Sequence, residues 1–397
     1  KVIMSELAKD IYANLGIRPI INCQGQRTML GGSRLSDELM EVIDNSNSGW
    51  ALMREVMEKA SSYVAYNMGV EAAYITSGCA AAMTLSAAAC ISRGDSVKRG
   101  LLPDSNGMNN EILLQKKQQY GYERAFTSTG GKLVYVGDEN GCTKNQLEMS
   151  IGSLTAAIAY LVETPAESSI VSYEETVAIA HGYGIPVIAD AAAQIYPVDY
   201  FLQVAQTADL VCFGGKFFGA PNATGFVCGK KKMVDLVIEQ GFIAFQTQAN
   251  GERAIGRPMK MDRQSIVAMV SALKTWLTMD HEGRLLKVDS TLSSIQSELN
   301  TIPNVKTRIV TNDHYSGSSL LVKMDTVGLG KSPEDVAREL DSGEPRIWIV
   351  LPRGEFFGAE YLHDNSMESD TFAINAHALD PGEEVVVAER VKHVLSV

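Results

Sequence analysis

The chain has 397 residues, too many for one hydrophobic core and enough for two or three packed domains. Hydrophobic residues at 45% and charged residues at 21% are ordinary globular usage, which excludes collagen-like and disordered classes. With 35 Lys+Arg against 47 Asp+Glu the net charge is −12, which weakens any nucleic-acid role because the chain as a whole repels a phosphate backbone.

The stretch 1–18 carries charges throughout and has no signal-peptide apolar core, and no window reaches the roughly 18 apolar residues of a membrane helix. A cytoplasmic location without membrane contact is therefore expected. Residues 72–76 read as a short strand, broken by Ser77-Gly78 and followed by a small-residue helix over 79–91. Strands are expected at 132–136 and 158–163. A helix over 172–181 stops at Gly182-Tyr183-Gly184. Residues 185–189 form a buried strand that ends at Asp190, and 210–213 form a strand that runs into glycines. One more strand covers 225–228. Apolar strands alternating with helices argue for an α/β fold, with a mostly parallel central sheet and helices on both faces. A long helix over 263–279 follows. From Val305 the pattern changes. Strands at 306–310, 319–323 and 346–350, a helix opened by Ser332-Pro333-Glu334-Asp335 and a last amphipathic helix over 384–395 make a smaller C-terminal α+β domain. The expected division is a large domain of 1–280 and a small one of 281–397, with residues 1–20 packing on the small domain.

The six cysteines (Cys23, Cys79, Cys90, Cys142, Cys212, Cys228) form no C-x-x-C pair and read as reduced core thiols. The six histidines show no ligand spacing, so no metal is expected.

In a parallel sheet, ligands gather at the carboxyl ends of strands. Three polar positions fall there: Ser77-Gly78, Asp190 and Lys216. Lys216 sits between a buried strand and a glycine-rich turn, where an amine can condense with an aldehyde as a Schiff base. The alternative is a surface lysine on a turn. Asp190 closes a buried strand, and a carboxylate there needs a partner. A pyridinium nitrogen would serve, with Ala191-Ala-Ala193 leaving room for a flat ring. The alternative is a carboxylate capping the next turn. Thr76-Ser77-Gly78-Cys79 places free backbone N–H groups at the positive end of a helix, a phosphate site or else plain close packing. A phosphate cup, a carboxylate for a ring nitrogen and a lysine for an aldehyde together fit one cofactor, pyridoxal 5'-phosphate. In the small domain, Arg346 of Gly343-Glu-Pro-Arg346 is a candidate to bind a substrate carboxylate with both arms of its guanidinium.

In Pro19-Ile-Ile-Asn22, Tyr74-Ile-Thr-Ser-Gly-Cys-Ala-Ala-Ala82, Leu102-Pro-Asp-Ser-Asn-Gly-Met-Asn-Asn-Glu-Ile112, Gly184-Ile-Pro-Val-Ile-Ala-Asp-Ala-Ala192, Phe213-Gly-Gly-Lys216 and Gly256-Arg-Pro-Met-Lys260 the chain resembles the selenocysteine synthase-like group of fold-type-I pyridoxal-phosphate enzymes. It is most similar to their D-glucosaminate-6-phosphate ammonia-lyase-like branch. The resemblance implies that Lys216 holds the cofactor and then serves as acid and base. It implies that Asp190 pairs with the ring nitrogen, that Ser77, Gly78 and Cys79 bind the phosphate, and that Ala192 and Gly214 border the cofactor. Arg257 and Lys260 match the family's basic pair for anionic substrates, or else form a solvated basic loop, and residues 102–112 are expected at the mouth of the site.

The implied activity is a lyase that takes a hydroxy amino acid or amino sugar acid to a 2-oxo acid and ammonia by α,β-elimination. A racemase or epimerase, an aminotransferase and a selenium transferase-like enzyme share its first steps, and a non-catalytic oligomer is the reading from another class. A homodimer or larger homo-oligomer is expected. Two departures stand out. Phe213 occupies a position where the family usually has Ser, which is expected to bring an aromatic ring near the cofactor. The family's N-terminal tRNA-binding domain has no counterpart ahead of Pro19, so with the acidic charge no tRNA partner is expected.

Overall fold

In a computed structural model the described residues are 11–163, 166–247, 254–311, 315–352 and 367–396, and they fall into two compact units. One is Gly32–Met279. The other joins the described residues before Gly32 to those from Asp280 onward. The part of the expected 1–20 packing that concerns residues 1–10 lies outside the described residues. The strands, in chain order, are β1 (Ile20–Asn22), β2 (Ala72–Thr76), β3 (Glu111–Gln115), β4 (Lys132–Val136), β5 (Thr155–Leu161), β6 (Val187–Asp190), β7 (Leu210–Gly214) and β8 (Gly225–Gly229). They continue with β9 (Val305–Val310), β10 (Ser319–Met324), β11 (Arg346–Trp348) and β12 (Thr371–Asn375).

In Gly32–Met279 seven strands form one sheet in the order β2-β8-β7-β6-β5-β3-β4. All neighbours from β7 to β4 are parallel, and β8 alone runs against both its neighbours, β2 and β7. Strand β2 therefore points the same way as β6 and β7, and the ends of all three lie on one edge. β5, β6 and β7 are buried almost throughout, as expected of strands covered on both faces.

The helices used below are α1 (Met53–Met68), α2 (Cys79–Ser92), α3 (Val198–Thr207), α4 (Lys231–Gln240) and α5 (Arg263–Thr278). The pleat sends neighbouring side chains of β7 to opposite faces. On one face Cys212 meets Ser86 of α2, with their Sγ and Oγ 3.8 Å apart. On the other, Phe213 meets Phe201 of α3 edge-on at 4.9 Å. Helix α2 is Cys-Ala-Ala-Ala-Met-Thr-Leu-Ser-Ala-Ala-Ala-Cys-Ile-Ser, and everything from Ala81 onward is buried. A helix apolar on all sides belongs inside a layered core, and its alanines let it lie close to the sheet.

The second unit has helices α6 (His281–Leu299), α7 (Pro333–Ser342) and α8 (Glu383–Ser396) and a three-stranded antiparallel sheet, β12-β10-β9. Leu292, Ile295 and Leu299 of α6, Leu320 and Val322 of β10, and Val387 and Val391 of α8 share its core. Strand β1 pairs in parallel with β11, Ile20 opposite Arg346. Among the described residues no helix is long and apolar enough to cross a membrane, and no cluster of three His, Cys, Asp or Glu side chains is placed to hold a metal.

Candidate active site

The shared edge of β2, β6 and β7 is where the sequence's three polar positions meet. Asp190 is the last residue of β6 and pairs across the sheet with Cys212 of β7. Two residues beyond β7 comes Lys216, half-buried on the 3₁₀ turn Gly215–Phe218. The turn is fixed from several sides. Gly214 donates its N–H to Ala192 O at 3.0 Å and Gly215 donates to Thr224 O at 2.8 Å. The Ser33 hydroxyl donates to the Lys216 carbonyl, and Gly219, at φ +85°, closes the turn in a conformation that glycine adopts without strain. Lys216 Nζ lies 5.0 Å from the centroid of the buried Phe217 ring.

Asp190 is 5% exposed, and both its oxygens are engaged. Oδ1 accepts the Ala192 N–H at 3.1 Å and the Cys79 thiol at 3.4 Å, and Oδ2 accepts the Tyr120 hydroxyl at 2.5 Å. Burial pushes this carboxyl up from its ordinary range, while Tyr120, the Ala192 amide and Cys79 pull it back. The same pairing drives the Tyr120 phenol upward, burial first and Asp190 second, so Tyr120 acts as a donor. Burial raises the Cys79 thiol as well. Asp190 raises it further and Lys216 draws it down, so one thiol lies within electrostatic reach of both groups.

The third element is the start of α2. Gly78 stands at φ +123°, a conformation L side chains rarely adopt, and turns the chain from β2 into the helix. The first hydrogen bond of the helix runs from Ala82 N–H to Gly78 O, which leaves the preceding amides facing outward. Ser77, Gly78 and Cys79 are half-buried, between a buried strand and a buried helix. Gly225 of β8 pairs with both Thr76 and Gly214, so it lies between the cup and the lysine turn. A Cβ at Gly225 would come within 2.5 Å of Phe213 O, 2.8 Å of Gly78 C and 2.9 Å of Cys79 N. Only a glycine lets the helix start come this close to the end of β7. Outward amides at a positive helix end, a buried carboxylate and a half-buried amine fit the phosphate, ring nitrogen and aldehyde of pyridoxal phosphate.

Other expected positions behave differently. Arg257 is half-buried with its guanidinium 5.8 Å from the Phe245 ring centroid, and Lys260 is exposed. Among the described residues neither makes a hydrogen bond or ion pair with Asp190 or Lys216. Arg346 lies in the other unit with its Nε and Nη2 turned to Asp341. Nε and Nη2 bond Asp341 Oδ1 at 3.0 and 2.5 Å, and that oxygen also accepts Trp348 Nε1 at 2.6 Å. The expected site mouth at 102–112 is corrected. Leu102 and Met108 pack with Ala88, Ile91 and Ala156, and the stretch leads into the amino end of β3, the sheet edge opposite Asp190. Phe213 is corrected too. Its ring is fully buried between Phe201 and Phe226 on the α3 face, away from the Asp190–Cys79 side. Sequence reasoning missed Tyr120 and Ser33. Tyr120 follows β3 at its carboxyl end, and that position was the available signal.

Models of known protein families match nothing in the chain. Over 395 residues it is 29% identical to the 5'-C-glycyluridine monooxygenase-decarboxylase of a Streptomyces species, covering 97% of this chain and 92% of that protein. Over 397 residues it is 28% identical to the D-glucosaminate-6-phosphate ammonia lyase of Salmonella typhimurium, covering 98% of each. A solved D-glucosaminate-6-phosphate ammonia-lyase structure superposes with a TM-score of 0.81 at 27% identity, covering 97% of this chain and 98% of that one. Aspartate aminotransferase from Thermotoga maritima shares the fold with a TM-score of 0.53 at 13% identity, covering 99% and 96%. The chain has the fold-type-I fold of pyridoxal-phosphate enzymes. In a fold-type-I frame the edge carrying Asp190, Lys216 and the α2 amides is the carboxyl edge of the large sheet, where open α/β sheets bind their ligands.

Proposed function

We propose that this chain is a pyridoxal-phosphate-dependent lyase that converts a hydroxy amino acid or amino sugar acid to a 2-oxo acid and ammonia, as in the ammonia lyase it is similar to. The observation that carries the reading is the position of Cys79. It is the first residue of the phosphate-cup helix, it bonds Asp190, and it lies within electrostatic reach of Lys216.

When bound, pyridoxal phosphate supplies an electron sink for the charge left on the substrate by α-proton removal. Lys216 Nζ would hold the aldehyde and would serve as the base that accepts the α-proton. Asp190 holds the ring nitrogen in its protonated form. Ser77, Gly78 and Cys79 direct the α2 amides to the phosphate, with Ala192 and Gly214 bordering the ring. Arg257 and Lys260 bind a phosphate or carboxylate of the substrate. In balance, water leaves from the α and β carbons and returns by hydrolysis, giving the 2-oxo acid and ammonia.

The same reading carries a homodimer or larger assembly within the selenocysteine synthase-like group, acting in the cytoplasm on a small molecule. Trp50, 94% exposed, and Leu52, 65% exposed, give Gly32–Met279 an apolar surface that suits a contact between copies. Light scattering on the purified chain tests this.

The test of activity begins with colour. Protein incubated with pyridoxal phosphate is expected to absorb at about 410–430 nm and to lose that band on Lys216→Ala. D- and L-hydroxy amino acids and amino sugar acids are then screened for 2-oxo acid and ammonia without an acceptor. A protein that never gains the band points to the non-catalytic oligomer. Dependence on an oxo-acid acceptor makes it an aminotransferase, and inversion alone a racemase or epimerase. Similarity to a monooxygenase-decarboxylase at 29% supports a second reading, whose mark is oxygen consumption with release of carbon dioxide.

A further inference from the structure

Three donors converge on Asp190, and their distribution is uneven. Among the described residues Oδ1 accepts two of them, the Ala192 N–H and the Cys79 thiol, while Oδ2 accepts the Tyr120 hydroxyl alone. A carboxylate oxygen offers two lone-pair positions. Oδ1 is therefore filled, and one place remains on Oδ2, beside the Tyr120 oxygen. Tyr120 arrives on the segment after β3, and its bond to Oδ2 is the shortest of the three.

We propose that Tyr120 is a positioning residue for pyridoxal phosphate, holding Asp190 so that the ring nitrogen is received on Oδ2 and nowhere else. The inference rests on the reading of Asp190 as the ring-nitrogen partner. Tyr120 acts through the carboxylate. Cys79 and Ala192 hold one oxygen, Tyr120 orients the other, and the rotamer of Asp190 is then fixed from both ends. Without the phenol, Oδ2 gains a second open position, and the ring-nitrogen bond loses its defined direction.

The test compares two ligands on the full chain. One is pyridoxal phosphate and the other is its carbocyclic analogue, with a C–H in place of the ring nitrogen. Apo-protein is titrated with each and followed by fluorescence. Tyr120→Phe is expected to weaken pyridoxal phosphate by about tenfold to a hundredfold, the range for a hydrogen bond to a charged group, and to change the analogue by no more than about twofold. In an Asp190→Asn background the same substitution is expected to change neither. Equal losses for both ligands, or a full loss in the Asp190→Asn background, would make Tyr120 a packing residue only and overturn the proposal. If Tyr120→Phe does not fold, 3-fluorotyrosine at position 120 changes the donor and keeps the ring, and an unchanged ratio of the two affinities then overturns it. A wild-type chain that binds pyridoxal phosphate without distinguishing the analogue also overturns it. A wild-type chain that binds neither sinks the cofactor reading itself.

Discussion

Gly225→Ala is the sharpest probe of the way the site is assembled. The new Cβ would stand 2.5 Å from Phe213 O, 2.8 Å from Gly78 C and 2.9 Å from Cys79 N, all backbone atoms, where ordinary contact begins at 3.4 Å. No side chain can rotate away. The helix start must lift from β8 by roughly 0.5–0.6 Å and the Phe213 carbonyl of β7 must yield by roughly 0.9 Å, and strands β2 and β7 pin β8 on both sides. Overpacking of this kind costs about 1–3 kcal/mol, and the rigid neighbours place it near about 3 kcal/mol. For a unit of this size that lowers the unfolding midpoint by roughly 6–12 °C. The lift would also move the α2 amides off the phosphate proposed to sit there, so the affinity for pyridoxal phosphate is expected to fall about tenfold or more, one charged hydrogen bond's worth. Calorimetry on apo-protein and a cofactor titration read the two effects separately. A Gly225→Ala protein that melts within about 1 °C of the parent and binds the cofactor equally well would refute the close approach of β8 to the cup.

Two further outcomes follow from the packing. Phe213→Ser, which installs the residue that the resemblance leads one to expect there, removes a fully buried ring from between Phe201 and Phe226. It is expected to cost about 3–5 kcal/mol in urea unfolding with no gain in cofactor affinity, and tighter binding would show that the hydroxyl reaches the phosphate after all. His377 in the second unit is held down to about 4, by burial first and Arg284 second, while an unfolded imidazole titrates near 6.5. Below about 6.5 the unfolded chain binds this proton and the folded chain does not, so the contribution of His377 to stability is complete above 6.5 and is lost as pH falls through 4. His377→Gln is expected to flatten the fall of the urea midpoint between those values, and an unchanged slope would contradict the burial argument.

The strands that carry chemistry were legible because burial on both faces leaves continuous apolar runs that end abruptly at a polar residue. Asp190 and Lys216 stand out on that ground. Strand β3 escaped notice for the opposite reason. Glu111-Ile-Leu-Leu-Gln115 is bracketed by Asn109-Asn110 and Lys116-Lys117, and the polar flanks read as loop. The resemblance alone put 102–112 at the site mouth, and missing that strand hid Tyr120, which matters only because β3 delivers the next segment to the carboxyl edge. Phe213 was misplaced because a spacing of three from Lys216 says nothing about pleat, whereas the alternation of Cys212 and Phe213 between α2 and α3 decides its face. Arg346 reads as a free guanidinium in sequence. Its partner Asp341 is five residues back across the turn out of α7, a proximity that no periodicity announces.

The pairing of β1 with β11 bears on the order in which the molecule is made. Gly32–Met279 is an unbroken stretch and can begin folding as soon as it leaves the ribosome. Strand β1 leaves earlier, yet its mate Arg346–Trp348 is translated roughly three hundred residues later, a long loop for the chain to close. For that interval Ile20-Ile21-Asn22 is an edge without its parallel mate, and it stays so until residues 346–348 arrive.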